Sequence, residues 1–260
     1  MIDSRRKRGG RAAPDQLQRE AQFFNHAYQS GTRRRVAQFY RALEASNAHF
    51  EALLLRHCSG RTVLECGSGT GHHALLLAEQ GARITGIDIS PTAVEMATSR
   101  ARTRGSSAVF FVRDVERTEF ADNSFDLVCG AGILHHVDLS KTLAELVRVL
   151  RPGGRAIFRE PMGHNPVINL FRMVTPHLRS KTEHPLTISD LAALQRGFCG
   201  SDCKFFHLSS LTLAPFARRS GVSSLVRAVD RFDSLLLDRV PALRRFAWQA
   251  VLSLEGPRKS

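Results

Sequence analysis

The clearest hydrophobic pattern in the chain lies between residues 62 and 88. The apolar run Thr62–Cys66 reads as a buried strand that ends in a turn carrying Gly67, Gly69 and Gly71. Ala74, Leu75, Leu76, Leu77 and Ala78 then follow as an apolar helix, and residues 82–87 read as a second strand ending on Asp88. Upstream, residues 16–58 carry apolar positions three and four apart, among them Phe23, Phe24, Val36, Phe39, Tyr40, Leu43, Phe50, Leu53 and Leu54. That spacing predicts two helices broken at Gly31-Thr32, with Thr32 as N-cap. Downstream, Ser90-Pro91 opens a helix as N-cap and first-turn proline, which runs to about Arg104. Strands are expected over 109–113, 125–129 and 155–159, with an amphipathic helix over 140–150 stopped by Arg151-Pro152-Gly153-Gly154. Helices near Pro166–Val174 and 189–196, and strands over 204–208 and 248–254, complete the pattern.

Strands alternating with helices predict a mostly parallel, doubly wound sheet. Ligands of such sheets bind at the carboxyl ends of the strands, where Glu65, Asp88, Asp114 and Gly130 all fall. A glycine turn lets backbone pass close beneath a ligand, and the following helix offers unbonded N–H groups. A carboxylate at the tip of the second strand suits two ribose hydroxyls, so the unit reads as a site for an adenosine-containing cofactor. It departs from the dinucleotide pattern G-x-G-x-x-G. The third glycine comes one residue early, at Gly71, and His72 holds the expected place. Glu65, just before the turn, suits a ligand with a positive ammonium better than a pyrophosphate.

Composition narrows the class. The chain has 260 residues and is 43% hydrophobic, enough for one large domain or a domain with insertions. There is no apolar run of about 18 residues to cross a membrane. The basic N-terminus lacks the apolar core and cleavage site of a secretory signal. Residues 1–15 read as a disordered basic tail. Of the five cysteines, Cys199 and Cys203 are four apart, a metal hint outweighed by the reading of ordinary reduced thiols; no metal is expected and the compartment is taken as the cytoplasm. The formal charge of +13 raises an anionic partner, but the arginines are scattered, as a GC-rich coding bias also produces.

The string from Glu65 to Gly71 resembles the first motif of the class I S-adenosylmethionine-dependent methyltransferases, of the broad methyltransferase-11 and ubiquinone/menaquinone type. Asp88-Ile89 resembles the ribose-binding pair and Asp114-Val115 the pair beside adenine. Phe125–Val128 with Ile133–Val137 resembles the fourth strand and its "LHHV" turn, and 150–154 the "L-x-P-G-G" turn. The resemblance covers roughly residues 62–160. It implies a Rossmann-like α/β fold with a seven-stranded sheet, S-adenosyl-L-methionine as methyl donor, and Glu65, Gly67, Ser68, Gly69, Asp88, Ile89, Asp114, Val115 and Gly130 as cofactor-binding residues. It divides the domain, 16–260, into an N-terminal helical cap (16–58) and two acceptor-side helical insertions (161–200 and 209–246).

The acceptor is less legible. An N/D-P-P-Y motif for amino methylation is absent after the fourth strand, and Cys129 lacks the preceding proline of a cytosine-C5 nucleophile. A small, hydrophobic organic acceptor remains, and nucleic acid is disfavoured. Segments 208–216 and 235–246, apolar and interleaved with arginine, read as ordinary packed helices, as acceptor-pocket walls or as a contact with a membrane surface. The alternative is an RNA or protein methyltransferase, which requires basic residues clustered at the mouth of the site; a non-catalytic binding protein is the third reading. His135 and His136 are the candidate catalytic bases, against the reading that they only pack the turn. His164 with Asn165 is a second candidate pair, with Glu160 as an orienting group. His72-His73 is read as structural or cofactor-flanking.

Overall fold

The computed structural model describes residues 14–29, 43–175, 183–210, 212–213 and 222–259. Among them the chain runs α1 (Pro14–Gln29), α2 (Glu44–Cys58), β1 (Thr62–Cys66), α3 (His72–Glu79), β2 (Arg83–Asp88), α4 (Pro91–Thr103), β3 (Val109–Val112) and β4 (Phe125–Ala131). A 3-10 turn, Leu134–His136, leads to α5 (Leu139–Val149) and β5 (Leu150–Pro161). Then come α6 (Pro166–Val174), α7 (Ile188–Arg196), β6 (Phe198–Phe206), α8 (Val222–Arg239), a second 3-10 turn and β7 (Gln249–Pro257). The Gly31-Thr32 break, most of the basic tail and part of segment 208–216 lie outside the described residues. Pro14 and Asp15, expected in the tail, already belong to α1, which a proline at its first turn can open.

The seven strands form one sheet in the order β3-β2-β1-β4-β5-β7-β6. β1 to β5 pair in parallel, and β7 alone runs against its neighbours. The chain reverses its winding between β1 and β4, which opens a crevice at their carboxyl ends. One sheet face is covered by α2, α3 and α4 through Phe50, Leu54, Leu75, Leu77 and Ala97. The other is covered by α5 and α7 through Leu146, Val149, Leu191 and Leu194, with Leu237 of α8. A fully buried Phe or Leu contributes about 1.5–3 kcal/mol, so the two layers hold the strand ends in register.

Three elements differ from the sequence expectation for local reasons. β5 begins at Leu150, because the Pro152-Gly153 breaker is accommodated as an irregularity: Phe125 pairs with Leu150, yet Leu127 pairs with Arg155. β6 occupies 198–206, not 204–208. It is an edge strand with residues 199–202 exposed, so its first half carries no apolar alternation. His207 then takes a left-handed conformation, φ 61°, which ends the strand before Leu208. The helical cap is two different things: α1 packs against α4, whereas α2 is a core helix of the sheet.

Asn165 is a buried hub and not a catalytic group. Its Oδ1 caps α6 by accepting from Val167 N–H (3.0 Å) and Ile168 N–H (3.1 Å). Its Nδ2 donates to the carbonyls of Phe246 (2.7 Å), Leu208 (3.3 Å) and His207 (3.5 Å). The neighbouring His164 is exposed, so this pair does not form a site. Asn165→Ala should cost about 2–4 kcal/mol of stability in urea unfolding, the sum of a lost cap and buried carbonyls left without donors.

Asp126 ties β4 to its flanks, accepting from Thr62 N–H at 2.8 Å and from Arg151 at 2.8 Å. Burial works against its charge, but these donors and the Arg151 charge outweigh it and hold the carboxyl below its ordinary range. Its stabilisation is therefore complete above the unfolded-state carboxylate pKa and is lost as pH falls through the depressed folded value. Asp126→Asn should lower the neutral-pH melting temperature, and the gap to wild type should close under acid.

Candidate active site

The crevice is a pocket lined from three sides. Gly67 forms its floor after β1; Ile87, Asp88 and Ile89 come from the end of β2; and Arg113, Asp114, Val115 and Glu116 follow β3. Ala131, Gly132, Ile133, His136 and Val137 follow β4, and Glu20, Phe24 and Tyr28 of α1 close the remaining side. The last three are four residues apart, which places them on one stripe of the helix. Sequence reasoning singled out only Phe24 of this stripe; the i, i+4, i+8 spacing was the available signal.

Asp88 holds the glycine turn. One carboxylate oxygen accepts from Gly69 N–H at 2.8 Å and the other from Ser90 N–H at 2.9 Å. Ser68 N–H adds a bond to Ile87 carbonyl at 2.9 Å, so turn and strand tip are pinned together. Gly69 has φ 52°, and a Cβ there would stand 2.7 Å from the Tyr28 hydroxyl, which lies directly over the turn.

Glu65 serves the start of α3. It is buried behind the turn, where Oε2 accepts from Ala74 N–H at 3.0 Å and Oε1 lies 3.2 Å from His73 Nδ1. A carboxylate there satisfies the N-terminus of α3 and complements its dipole. Gly130 also sits beneath the pocket: a Cβ on it would meet Cys66 carbonyl at 2.8 Å and Ile133 at 2.8 Å. Gly67, Asp88, Ile89, Asp114 and Val115 face the pocket, while Glu65, Ser68 and Gly130 support it.

Asp114 starts a turn by accepting from Glu116 N–H at 2.9 Å. Glu116 accepts from Asp138 N–H at 2.7 Å. Burial pushes the Glu116 carboxyl up, the Asp138 N–H opposes this, and the Asp114 and Asp138 charges add to the rise against Lys141. Among the described residues, Arg113 is the one basic side chain in the lining besides His136. It is committed to Thr118 carbonyl at 2.6 Å and lies over the Phe120 ring at 4.3 Å.

The two histidines separate into different roles. His135 is buried, and its Nδ1 lies 2.7 Å from Glu160 Oε2. Glu160 Oε1 also accepts from Ile133 N–H at 2.9 Å and Leu134 N–H at 3.0 Å, so one carboxylate fixes the whole turn. His136 faces the pocket; its ring lies 4.0 Å from that of His135, and its Nδ1 is 4.0 Å from Glu20 Oε2. Phe24 meets it edge-on at 5.2 Å. The insertion 161–200 approaches through His184 N–H on His135 carbonyl at 2.7 Å, and its described residues do not line the pocket. The Cys129 thiol is buried and pushed well above its ordinary value by burial and by the Glu65 charge, which leaves it inert as a nucleophile.

Comparison with known proteins agrees with this layout. The Methyltransferase domain family model matches residues 64–158. The demethylmenaquinone methyltransferase of Thermus thermophilus is 38% identical over 103 residues, which is 38% of this chain and 47% of the relative, about half its length. That of Chlorobaculum parvum is 29% identical over 177 residues, 67% of this chain and 69% of the relative. Phosphoethanolamine N-methyltransferase 2 of Haemonchus contortus, solved with S-adenosyl-L-methionine, shares the fold at 17% identity and a TM-score of 0.60, covering 81% of this chain and 53% of its own. The strand order, the glycine turn and the Asp88 tip are thus similar to those of the class I S-adenosylmethionine-dependent methyltransferases, and the matching methyltransferase domain model spans residues 64–158.

Proposed function

We propose that the chain transfers a methyl group from S-adenosyl-L-methionine to a small, hydrophobic organic acceptor. The observation that carries this is one pocket uniting the strand-end carboxylates Asp88 and Asp114 with His136. Asp88 and Asp114 fit the two hydrogen-bonding ends of an adenosine, the ribose hydroxyls and the exocyclic amine, with Ile89 and Val115 as apolar neighbours. When bound, the cofactor supplies an already activated methyl on a sulfonium. The protein then needs to align an acceptor atom and exclude water, which is mainly a proximity effect. Phe24, Ile133 and Val137 provide an apolar wall for that acceptor, and α1 lies across the opening.

We infer that His136, which faces the pocket, takes the proton that an acceptor atom loses as it becomes methylated. His135 and Glu160 position it: the carboxylate holds the first ring, and the first ring packs against the second at 4.0 Å, tilted by 40°. Among the described residues the pocket carries Glu20, Asp88, Asp114 and Glu116 against a single arginine, itself engaged with the Thr118 carbonyl. An RNA site would need phosphate-binding cations there, so this lining favours a small uncharged acceptor. Relatives named as demethylmenaquinone methyltransferases support a quinone-like ring as the first acceptor to assay.

His136→Ala should lose about 10²–10⁴-fold in turnover with labelled methyl donor and a demethylated quinol, while cofactor affinity holds. Full turnover in the variant would leave alignment alone as the mechanism; affinity lost in step with activity would make His136 a pocket wall.

Gly69→Val should remain folded but bind cofactor at least tenfold more weakly. The left-handed backbone disfavours any side chain by about 1–2 kcal/mol, and the added methyls would press on Tyr28 and the ligand path. Ligand-induced shifts in melting temperature check this directly.

A further inference from the structure

A second cluster lies on the far side of the glycine turn, independent of the methyl-transfer reading. His72 and His73 open α3, and Glu51 reaches them from α2. His72 Nε2 is 3.7 Å and His73 Nε2 is 3.8 Å from the same oxygen, Glu51 Oε1. Both distances are too long for hydrogen bonds. They are close to the separation of about 3.4 Å between two ligand atoms that share a tetrahedral ion at roughly 2.1 Å. All three ligand atoms lie within 4.8 Å of one another.

His73 is already prepared as a ligand. Its Nδ1 is engaged by the buried Glu65 carboxylate at 3.2 Å, which turns Nε2 outward toward Glu51 and His72. Phe50 packs edge-on against the ring at 5.3 Å and limits its rotation. A carboxylate behind an imidazole whose other nitrogen faces the ion is the arrangement that orients histidines at metal sites and raises their basicity. Glu51 and Glu65 together carry the charge that balances a divalent cation. Two imidazole nitrogens and one carboxylate oxygen suit zinc, with a coordination position left for water.

The geometry points to a zinc-binding site formed by Glu51, His72 and His73, with Glu65 as the group that orients His73. None of the four lines the methyl-transfer pocket, so the ion would act as a pin between α2 and the first turn of α3. That turn follows Gly71 directly, and the ion would thereby stiffen the end of the glycine turn.

Zinc titrated calorimetrically into the chelator-stripped full chain should bind saturably at one ion per chain, with affinity falling in acid as the histidines protonate. Glu51→Gln and His72→Ala, both of them changes on accessible side chains, should each weaken binding at least tenfold. Zinc should raise the melting temperature of wild type and not of Glu51→Gln. Cys199→Ser, which removes an exposed thiol, should change nothing. Absence of saturable binding, wild-type affinity in both Glu51→Gln and His72→Ala, or binding lost in Cys199→Ser would each overturn the site.

Discussion

The bonds from Asp88 to Gly69 N–H and Ser90 N–H set the geometry on which the rest of the pocket depends. A glycine-rich turn has many conformations available to it, and its left-handed residues favour none of them strongly. A carboxylate at the tip of the neighbouring strand removes that freedom. It anchors the turn on one side and begins the cap of α4 on the other, where Ser90 Oγ accepts from Ala93 N–H. The same group is thereby held in place to meet a ligand. Glu65 performs the matching task behind the turn, holding the first N–H groups of α3. Two acids on adjacent strands thus fix five residues of loop from opposite sides.

The acceptor side is built by a different logic. Glu160, at the end of β5, gathers Ile133 N–H, Leu134 N–H and the His135 ring on one carboxylate. This orders a short turn whose Leu134 is buried in the core, with Ile133 and Val137 packed beside it. His136 inherits its position from that arrangement and from Phe24 across the pocket. The helix α1 is tied to the fold through Asn25, which accepts from Ser90 Oγ at the same corner that Asp88 organises. Thr92 N–H also donates to Asn25, so the start of α4 joins α1 to the strand tip that Asp88 organises.

Much of this was legible in the sequence. The strands that end at Glu65, Asp88 and Asp114 are short apolar runs bounded by glycine or acid, and such boundaries are local signals. The helix starts at Ser90-Pro91 and Asn165-Pro166 were equally local. What escaped was non-local. Nothing near Asn165 announces that its amide reaches Phe246, 81 residues away. Nothing near Glu65 announces that it meets His73 and the Ala74 N–H. The start of β6 was missed because an edge strand with polar, exposed residues carries no alternation. The division of labour between His135 and His136 depends on Glu160, 25 residues from His135.

The central claim is that Asp88 both shapes the glycine turn and binds the ribose of an adenosyl cofactor. Calorimetric titration of S-adenosylhomocysteine into wild type and Asp88→Asn tests it most directly, with NAD as the control ligand. The account predicts saturable heat for wild type, none with NAD, and a loss of about 1.5–3 kcal/mol in the variant, the scale for hydrogen bonds to a charged group. Heat with NAD alone, or equal affinity in wild type and variant, would contradict it.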